Sequence, residues 1–245
     1  MRCFRADLHI HSVLSPCGGL EMSPRDLVNR AMELKLDWIA ITDHNSMANC
    51  PAYEKVALAA GLAFSWGVEI QTSEEIHLLA YFDDSAAAQA FDMELYNSLL
   101  PLENDAEFFG DQVVIDENDA ILRMENRALI NSSLWDLSTA CEQARAFGAF
   151  VMPAHVDAKV NSVLSQLGFM PEDPVFEAFG ITARLDIEKF IGRNPWFSGK
   201  SLVRSSDAHY LDDLGSGSSL VYANEPSVNE LRLAALGLDN RKIEV

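Results

Sequence analysis

All six histidines of the chain lie at or near the end of a predicted strand. They are His9, His11, His44, His77, His155 and His209. A strand points residues i and i+2 to the same face, so the His9 and His11 imidazoles can reach one metal ion. Taken alone, a His-x-His pair is more often part of an ordinary half-exposed strand face. The prediction of a metal site therefore rests on the position of all six histidines at strand ends.

Two carboxylates accompany these histidines at strand ends. Glu69 follows Gly67-Val68, and Asp207 lies two residues before His209. A carboxylate can bridge two cations, and a hydroxide shared by ions about 3.5 to 4 Å apart is a strong nucleophile for phosphoryl transfer. The donor set is too large for one ion, which predicts a multinuclear site. Mixed imidazole and carboxylate ligation suits zinc, manganese or iron.

Two further acidic residues lie close to the histidines in sequence. Asp7 precedes His9 by two residues, and Asp43 directly precedes His44. We expect both carboxylates to serve the catalytic site, either by orienting an imidazole or by touching a metal. The alternative is an ordinary loop or helix-capping aspartate.

Phosphate recognition needs a cation near the metals, and three residues of the C-terminal half are candidates. They are Lys159, Arg184 and Arg204. Arg184 is favoured because the apolar run 179–183 resembles a strand that leads into the site. An ordinary surface charge remains the competing interpretation for each of them.

Strands and helices alternate along the chain. Residues 4–10 alternate, with Phe4, Ala6, Leu8 and Ile10 on one face. Further strands are expected at 38–42, before Glu69, and at 76–82, 149–154 and 201–204, with helices at 23–36, 53–60 and 134–146. This order predicts an α/β fold with a mostly parallel sheet, and a barrel is the simplest way to bring so many strand ends to one mouth.

One segment, residues 103–133, interrupts this alternation. The run Val113-Val114-Ile115, a turn at 116–119 and the run Ala120-Ile121-Leu122 predict an inserted β-hairpin. A hairpin near a barrel mouth can be a lid, a dimer contact or a plain excursion. We predict a single domain over 1–245 with this segment inserted into it.

Composition narrows the functional class. The chain has 245 residues and a formal net charge of −19, which argues against broad nucleic-acid binding. Its four cysteines show no paired spacing, and we see no apolar signal core and no run long enough to span a membrane. We expect a cytoplasmic protein with no membrane partner.

Together these motifs resemble the polymerase and histidinol phosphatase (PHP) superfamily. The similar elements are Asp7-Leu-His-Ile-His-Ser12, Thr42-Asp-His-Asn45, Gly67-Val-Glu69, His155 after Pro-Ala, and Ser206-Asp-Ala-His209. The resemblance runs from residue 4 to about residue 215. It implies a distorted (β/α)7 barrel with two or three divalent transition-metal ions (Zn, Mn or Fe).

The resemblance also implies a ligand set. His9, His11, Glu69 and Asp207 would surround a first metal; Glu69, His77 and His155 a second; His44 and His209 a third. Many members add a histidine or aspartate to the third site, where Cys17 stands here. A Cys17 thiolate would favour zinc or iron. A small residue packed in a tight turn is the alternative.

The expected activity is hydrolysis of a phosphate ester by attack of a metal-bridging hydroxide. The substrate would be a small phosphorylated metabolite, with a nucleotide or a short oligonucleotide included, and inorganic phosphate would be a product. Two alternatives stay open: a metal-dependent amidohydrolase, which also begins with His-x-His on a barrel strand, and a non-catalytic PHP module.

Overall fold

The computed structural model describes all 245 residues, with eleven strands and eight α-helices. The strands are β1 (Arg2–Ile10), β2 (Trp38–Ile41), β3 (Ala63–Gln71), β4 (His77–Phe82), β5 (Val113–Ile115), β6 (Ile121–Met124), β7 (Phe150–Pro153), β8 (Ala178–Ile181), β9 (Ser201–Arg204), β10 (Ser219–Ala223) and β11 (Lys242–Glu244). The helices are α1 (Pro24–Glu33), α2 (Cys50–Ala60), α3 (Ser85–Ser98), α4 (Ala106–Phe109), α5 (Leu137–Ala146), α6 (Val163–Leu167), α7 (Ile187–Arg193) and α8 (Val228–Ala235).

Seven strands close into a barrel in the order β1-β2-β3-β4-β7-β8-β9. The main sheet supplies the first five, and β8 and β9 form a parallel pair. Two contacts complete the ring: Val156 N donates to Gly180 O at 2.8 Å, and Asp207 N donates to His9 O at 2.9 Å. The predicted α/β fold with a (β/α)7 barrel is therefore confirmed.

Six of the seven barrel strands run in the same direction, and β4 is the exception. It pairs antiparallel with both β3 and β7. The reason is the short turn over 72–76, since a parallel partner would require a long crossover connection. As a result His77, the first residue of β4, lies opposite Gln71, the last residue of β3. Outside the barrel, β10 and β11 add two antiparallel strands beside β1.

Two apolar layers follow from the alternation of side chains along the strands. The barrel interior holds Ala6, Leu8, Trp38, Leu79, Tyr81, Phe150 and Met152. The layer between strands and helices holds Ile39, Ile41, Leu78, Phe82, Val151 and Phe179. Burial of these faces is the main favourable term that keeps the barrel closed.

The predicted alternation of β1 is wrong at its end. Ile10 packs in the outer layer, whereas Ala6 and Leu8 pack inside. The pairing register of β1 with β2 shifts between Asp7 and Ile10. Such an irregularity re-aims the side chains that follow it, so His9 and His11 turn toward the barrel axis.

Three helix boundaries also differ from the sequence expectation because of local caps and turns. Helix α1 begins after the predicted cap Ser23 but ends at Glu33, and Lys35 then adopts a left-handed φ of 58°. Helix α5 begins at Leu137 because the Asp136 carboxylate accepts from Thr139 N at 2.8 Å. Helix α2 begins at Cys50 rather than near Tyr53.

The predicted hairpin is present as β5 and β6, although its second strand extends to Met124. Buried Asn49 holds the hairpin to the barrel. Its amide donates to Ser12 Oγ at 3.0 Å and to Val113 O at 2.9 Å, and its oxygen accepts from Ile115 N at 3.1 Å. The segment is thus fixed beside the mouth. No helix of the chain is long and apolar enough to cross a membrane.

We predict that Asn49→Ala destabilises the protein by about 1 to 3 kcal/mol, because it leaves buried backbone groups of the hairpin unpaired. Urea unfolding and hydrogen exchange across 113–124 measure this. Asn97→Ala, on the exposed face of α3, is the control. Unchanged exchange in the hairpin of Asn49→Ala would contradict the anchoring role.

Candidate metal centre

The side chain of Glu69 lies at the centre of the barrel mouth and is buried. Its Oε1 is 3.2 Å from His9 Nε2, 2.8 Å from His77 Nδ1 and 3.1 Å from His155 Nε2. Its Oε2 is 3.3 Å from His11 Nε2 and 3.2 Å from His44 Nδ1. Both carboxylate oxygens therefore face imidazole nitrogens contributed by four different strand ends.

Asp207 lies on the other side of the β1 histidines. Its Oδ1 is 3.2 Å from the Nε2 atoms of both His9 and His11. The backbone of Asp207 has a left-handed φ of 55°, and its own carbonyl oxygen lies 2.8 Å from His209 Nδ1. Non-glycine residues in this region usually mark a turn or a functional constraint. Here the conformation turns Asp207 and His209 into the mouth.

His155 reaches the centre by a similar bend. The alternation of β7 buries Phe150, Met152 and Ala154 inside the barrel, which would aim residue 155 outward. A φ of 27° at His155 breaks this alternation. Gly180 allows the close approach of β8, since a Cβ there would lie 3.0 Å from Pro153 O. The bend at His155 and the close approach of β8 thus bring His155 Nε2 within 3.3 Å of His77 Nδ1.

The donors form three overlapping groups whose ligand atoms lie within 4.8 Å of one another. They are His9, His11 and Glu69; His44, Glu69 and His77; and His11, His44 and His209. The predicted companions Asp207 and His155 lie beside the first and second groups. In the third group the structure brings His11, rather than Cys17, together with His44 and His209.

The chemistry of these donors fits divalent metal ions. Two buried atoms of these close pairs, His44 Nδ1 and Asp207 Oδ1, have no hydrogen-bond partner, although each lies 3.2 Å from another donor of the cluster. Buried polar atoms are rarely left unpaired, so such a set calls for a cation. Imidazole nitrogen and carboxylate oxygen are the ligands that zinc and related ions prefer.

The pKa shifts divide the imidazoles of the cluster into two groups. Burial raises the pKa of Glu69, but His77 and His9 outweigh burial and hold that pKa well below its ordinary value. Burial, with the charge of His11, lowers the pKa of His44 well below its ordinary value and that of His209 to about 4. Burial also opposes a positive charge on His11 and His155, but Asp207 and Glu69 hold the pKa of His11 well above its ordinary value, and Glu69 raises the pKa of His155. Metals bind an ionised carboxylate and neutral imidazoles, so metal binding would displace protons from His11 and His155.

Asp43 fixes the loop that follows β1. Its carboxylate accepts from Ser12 N at 2.7 Å, from the Ser12 hydroxyl at 2.5 Å and from the Ser15 hydroxyl at 2.6 Å. Ser15 Oγ in turn lies 2.9 Å from His11 Nδ1 and accepts from His44 N at 3.2 Å. Asp43 therefore acts on the histidines through Ser15. Sequence reasoning gave neither serine a role, although Ser12 ends the first of the motifs quoted above.

Asp7 has a comparable role for the loop after β9. It accepts from Ser206 N at 2.9 Å and from Gly215 N at 3.1 Å. Burial raises the pKa of Asp7 to about 6, although these hydrogen bonds oppose the rise. Asp7 thus positions the neighbour of Asp207 and makes no contact with an imidazole in the structure.

A second set of contacts, also missed from sequence, holds the β3–β4 edge. Gln71 Oε1 lies 3.3 Å from His77 Nε2, and His77 N donates to Asn161 O at 2.9 Å. Asn45 donates to the carbonyls of Leu129 and Asn131, both at 2.8 Å. Asn45 has a left-handed φ of 51° directly after His44, a conformation that asparagine tolerates better than most residues.

The three candidate cations have different surroundings. The Arg204 guanidinium donates to the carbonyls of Thr182, Ala183 and Leu185 at 2.8 to 3.2 Å, so it holds the loop after β8. Lys159 lines a cavity next to the metal centre. Arg184 is exposed in the loop between β8 and α7. None of the three lines the cavity of about 230 Å³ above Glu69.

Cys17 is half-buried in the turn after β1. Burial raises the pKa of its thiol, and the charge of His11 opposes that rise. The turn itself is held to the mouth because Gly19 N donates to His209 O at 2.8 Å. Cys17 therefore lies on the loop next to the third donor group without belonging to that group.

The closed barrel and its mouth of imidazoles and carboxylates define a protein with a candidate metal centre of the kind that the sequence motifs predict. A family model described as "PHP domain" matches residues 7–154, which is more than half of the chain. The chain belongs to the PHP domain family, as its motifs predict.

Individual relatives were found by sequence and by structure. The chain is 40% identical over 85 residues to the 5'-3' exoribonuclease Rnm of Salmonella typhimurium, an alignment that covers 33% of this chain and 28% of the relative. The Escherichia coli protein of the same name is 40% identical over 80 residues, covering 30% and 26%. The chain thus aligns with little more than a quarter of these curated relatives.

The fold is similar to that of the lesion-specific endonuclease PfuEndoQ from Pyrococcus furiosus. The TM-score is 0.73 at 18% identity, and the match covers 99% of this chain and 58% of the other. At this identity the likeness concerns the fold alone. It agrees with the closed barrel described above.

We predict that Asp43→Asn weakens metal binding by about 10- to 100-fold, because the amide disrupts the serine hydroxyls that orient His11 and His44. Titration against a chromogenic chelator measures the affinity. Asp37→Asn removes a charge from an exposed carboxylate that accepts from Arg5 N and serves as the control. Equal metal affinity in both variants would exclude a positioning role for Asp43.

Proposed function

We propose that the chain hydrolyses a phosphoester bond of a nucleotide or a short oligonucleotide at a centre of two or three divalent transition-metal ions. The observation that carries the proposal is the buried Glu69 carboxylate, whose two oxygens face five imidazoles within 3.3 Å. A carboxylate so placed suits a bridging position between cations. Zinc, manganese and iron match the donor types.

Each donor has a proposed role. His9, His11 and Asp207 would hold one ion together with Glu69, while His77 and His155 would hold a second with the same carboxylate. His44 and His209 would hold a third, together with His11 or Cys17. Bound ions would supply an activated water nucleophile and neutralise charge on the phosphoryl oxygens.

The chain's own residues shape the reaction around that centre. Asp43 and Ser15 keep His11 and His44 in fixed orientations, and Asp7 holds the Ser206–Asp207 loop. The cavity above Glu69, about 230 Å³, admits a phosphoryl group and one attached unit rather than a large polymer surface. Exclusion of bulk water there strengthens electrostatic interactions with the transition state.

The substrate class is supported by the curated relatives. Their name describes a nuclease acting on RNA from its 5' end, and nucleases cleave phosphodiesters. The net charge of −19 disfavours electrostatic binding along the length of a long nucleic acid. A nucleotide or a short strand bound at the mouth reconciles the two observations.

We predict that Glu69→Gln lowers hydrolysis of bis(p-nitrophenyl) phosphate by about 100-fold or more, since a loss of several kcal/mol of charge stabilisation has at least this effect. Steady-state kinetics with saturating Mn²⁺ or Zn²⁺ measures it. Glu74→Gln, on the turn that follows β3, is the matched control. A fully active Glu69→Gln enzyme would sink the proposed mechanism.

Cys17 offers a separate test of the third metal. If its thiolate completes the group of His11, His44 and His209, Cys17→Ala lowers the bound metal by one ion per chain. Elemental analysis after reconstitution measures the ratio. Cys3→Ala, at an exposed cysteine, should leave it unchanged. An equal metal content in both variants would remove Cys17 from the site.

A further inference from the structure

A second cavity, of about 630 Å³, lies next to the metal centre. It is formed between the loop after His155, helix α6 and helix α7. Its apolar floor consists of Val156, Leu164, Leu185 and Phe190. This volume is within the range of ordinary small-ligand sites.

Three cations line this cavity: Lys159, Lys189 and Arg193. Lys159 and Arg193 form no ion pair, whereas Lys189 is 2.6 Å from Asp186 Oδ2. Three cations in one cavity are unusual for this protein, because the whole chain has only 18 basic residues against 37 acidic ones. A local patch of this kind can bind an anion that the rest of the surface repels.

Two carboxylates also line the cavity, and both have donors of their own. Asp157 accepts from Thr182 N at 2.9 Å and from the Thr182 hydroxyl at 2.5 Å. Asp186 caps helix α7 by accepting from Lys189 N at 3.2 Å and pairs with the Lys189 ammonium. Their charge is thus partly compensated, and Lys159 and Arg193 remain available to an incoming anion.

The cavity adjoins the metal centre. Ala158 lines both, and Thr182, which Asp157 holds, is part of the wall above Glu69. A ligand with a phosphate over Glu69 can therefore extend past Ala158 into the second cavity. An apolar floor beneath a cationic rim matches a nucleotide, which combines an apolar base with a charged phosphate.

We infer that this cavity binds the nucleotide adjacent to the scissile phosphate of a single-stranded oligonucleotide, with its phosphate at Lys159 and Arg193 and its base over Phe190. The inference rests on the proposed function for the identity of the scissile bond. It makes the substrate a strand of at least two nucleotides rather than a lone phosphorylated metabolite.

The experiment is equilibrium binding of a fluorescein-labelled phosphorothioate strand of about six nucleotides, followed by anisotropy across a series of KCl concentrations. In Lys159→Ala/Arg193→Ala we expect binding to weaken about tenfold. The slope of log K against log salt should fall by about 0.7, since neutralisation of one phosphate in a single strand contributes about this much. The control Arg2→Ala/Arg30→Ala removes two cations that line neither cavity and should retain the wild-type slope.

A matched strand that keeps its phosphates but lacks bases tests the apolar floor. We expect it to bind the wild-type protein about tenfold more weakly. Equal binding of the two strands, or an unchanged slope in Lys159→Ala/Arg193→Ala, would overturn the inference. Wild-type hydrolysis of bis(p-nitrophenyl) phosphate, measured in parallel, tests the proposed function separately, because that diester has only one phosphate and cannot fill both cavities.

Discussion

The buried carboxylate of Glu69 is the constraint on which the rest of the structure depends. Taking a charge out of water is costly unless opposite charges or donors surround it. Five imidazoles meet this carboxylate, yet His44 Nδ1, 3.2 Å from Glu69 Oε2, has no hydrogen-bond partner. More ring nitrogens face the two carboxylate oxygens than can donate to them with good geometry. Divalent cations held by these donors would resolve this conflict.

The barrel provides the geometry for such a cluster by departing from regular structure where the donors lie. The irregularity in β1 turns His9 and His11 inward, and left-handed backbones at His155 and Asp207 do the same for β7 and β9. The reversed strand β4 brings His77 to the mouth at its first residue. Strained positions persist when the surrounding packing determines them, and here the closed apolar barrel supplies that packing.

Much of this architecture could be predicted from the sequence. The alternation of elements favoured a barrel, the family resemblance implied seven strands, and the strand-end positions singled out the histidines that gather at the mouth, because burial patterns and residue types are local properties of the sequence. The reversal of β4 and the register shift between Asp7 and Ile10 were not predicted, since both depend on strand pairing. Ser15 and Asn49 were missed because a serine or asparagine acquires its role only through contacts distant in sequence.

Anomalous diffraction from crystals reconstituted with zinc or manganese is the most direct test of a polynuclear centre at Glu69. The structure predicts two or three ions per chain, with the Glu69 carboxylate in contact with at least two of them. A single ion, or ions bound away from Glu69, would contradict this account.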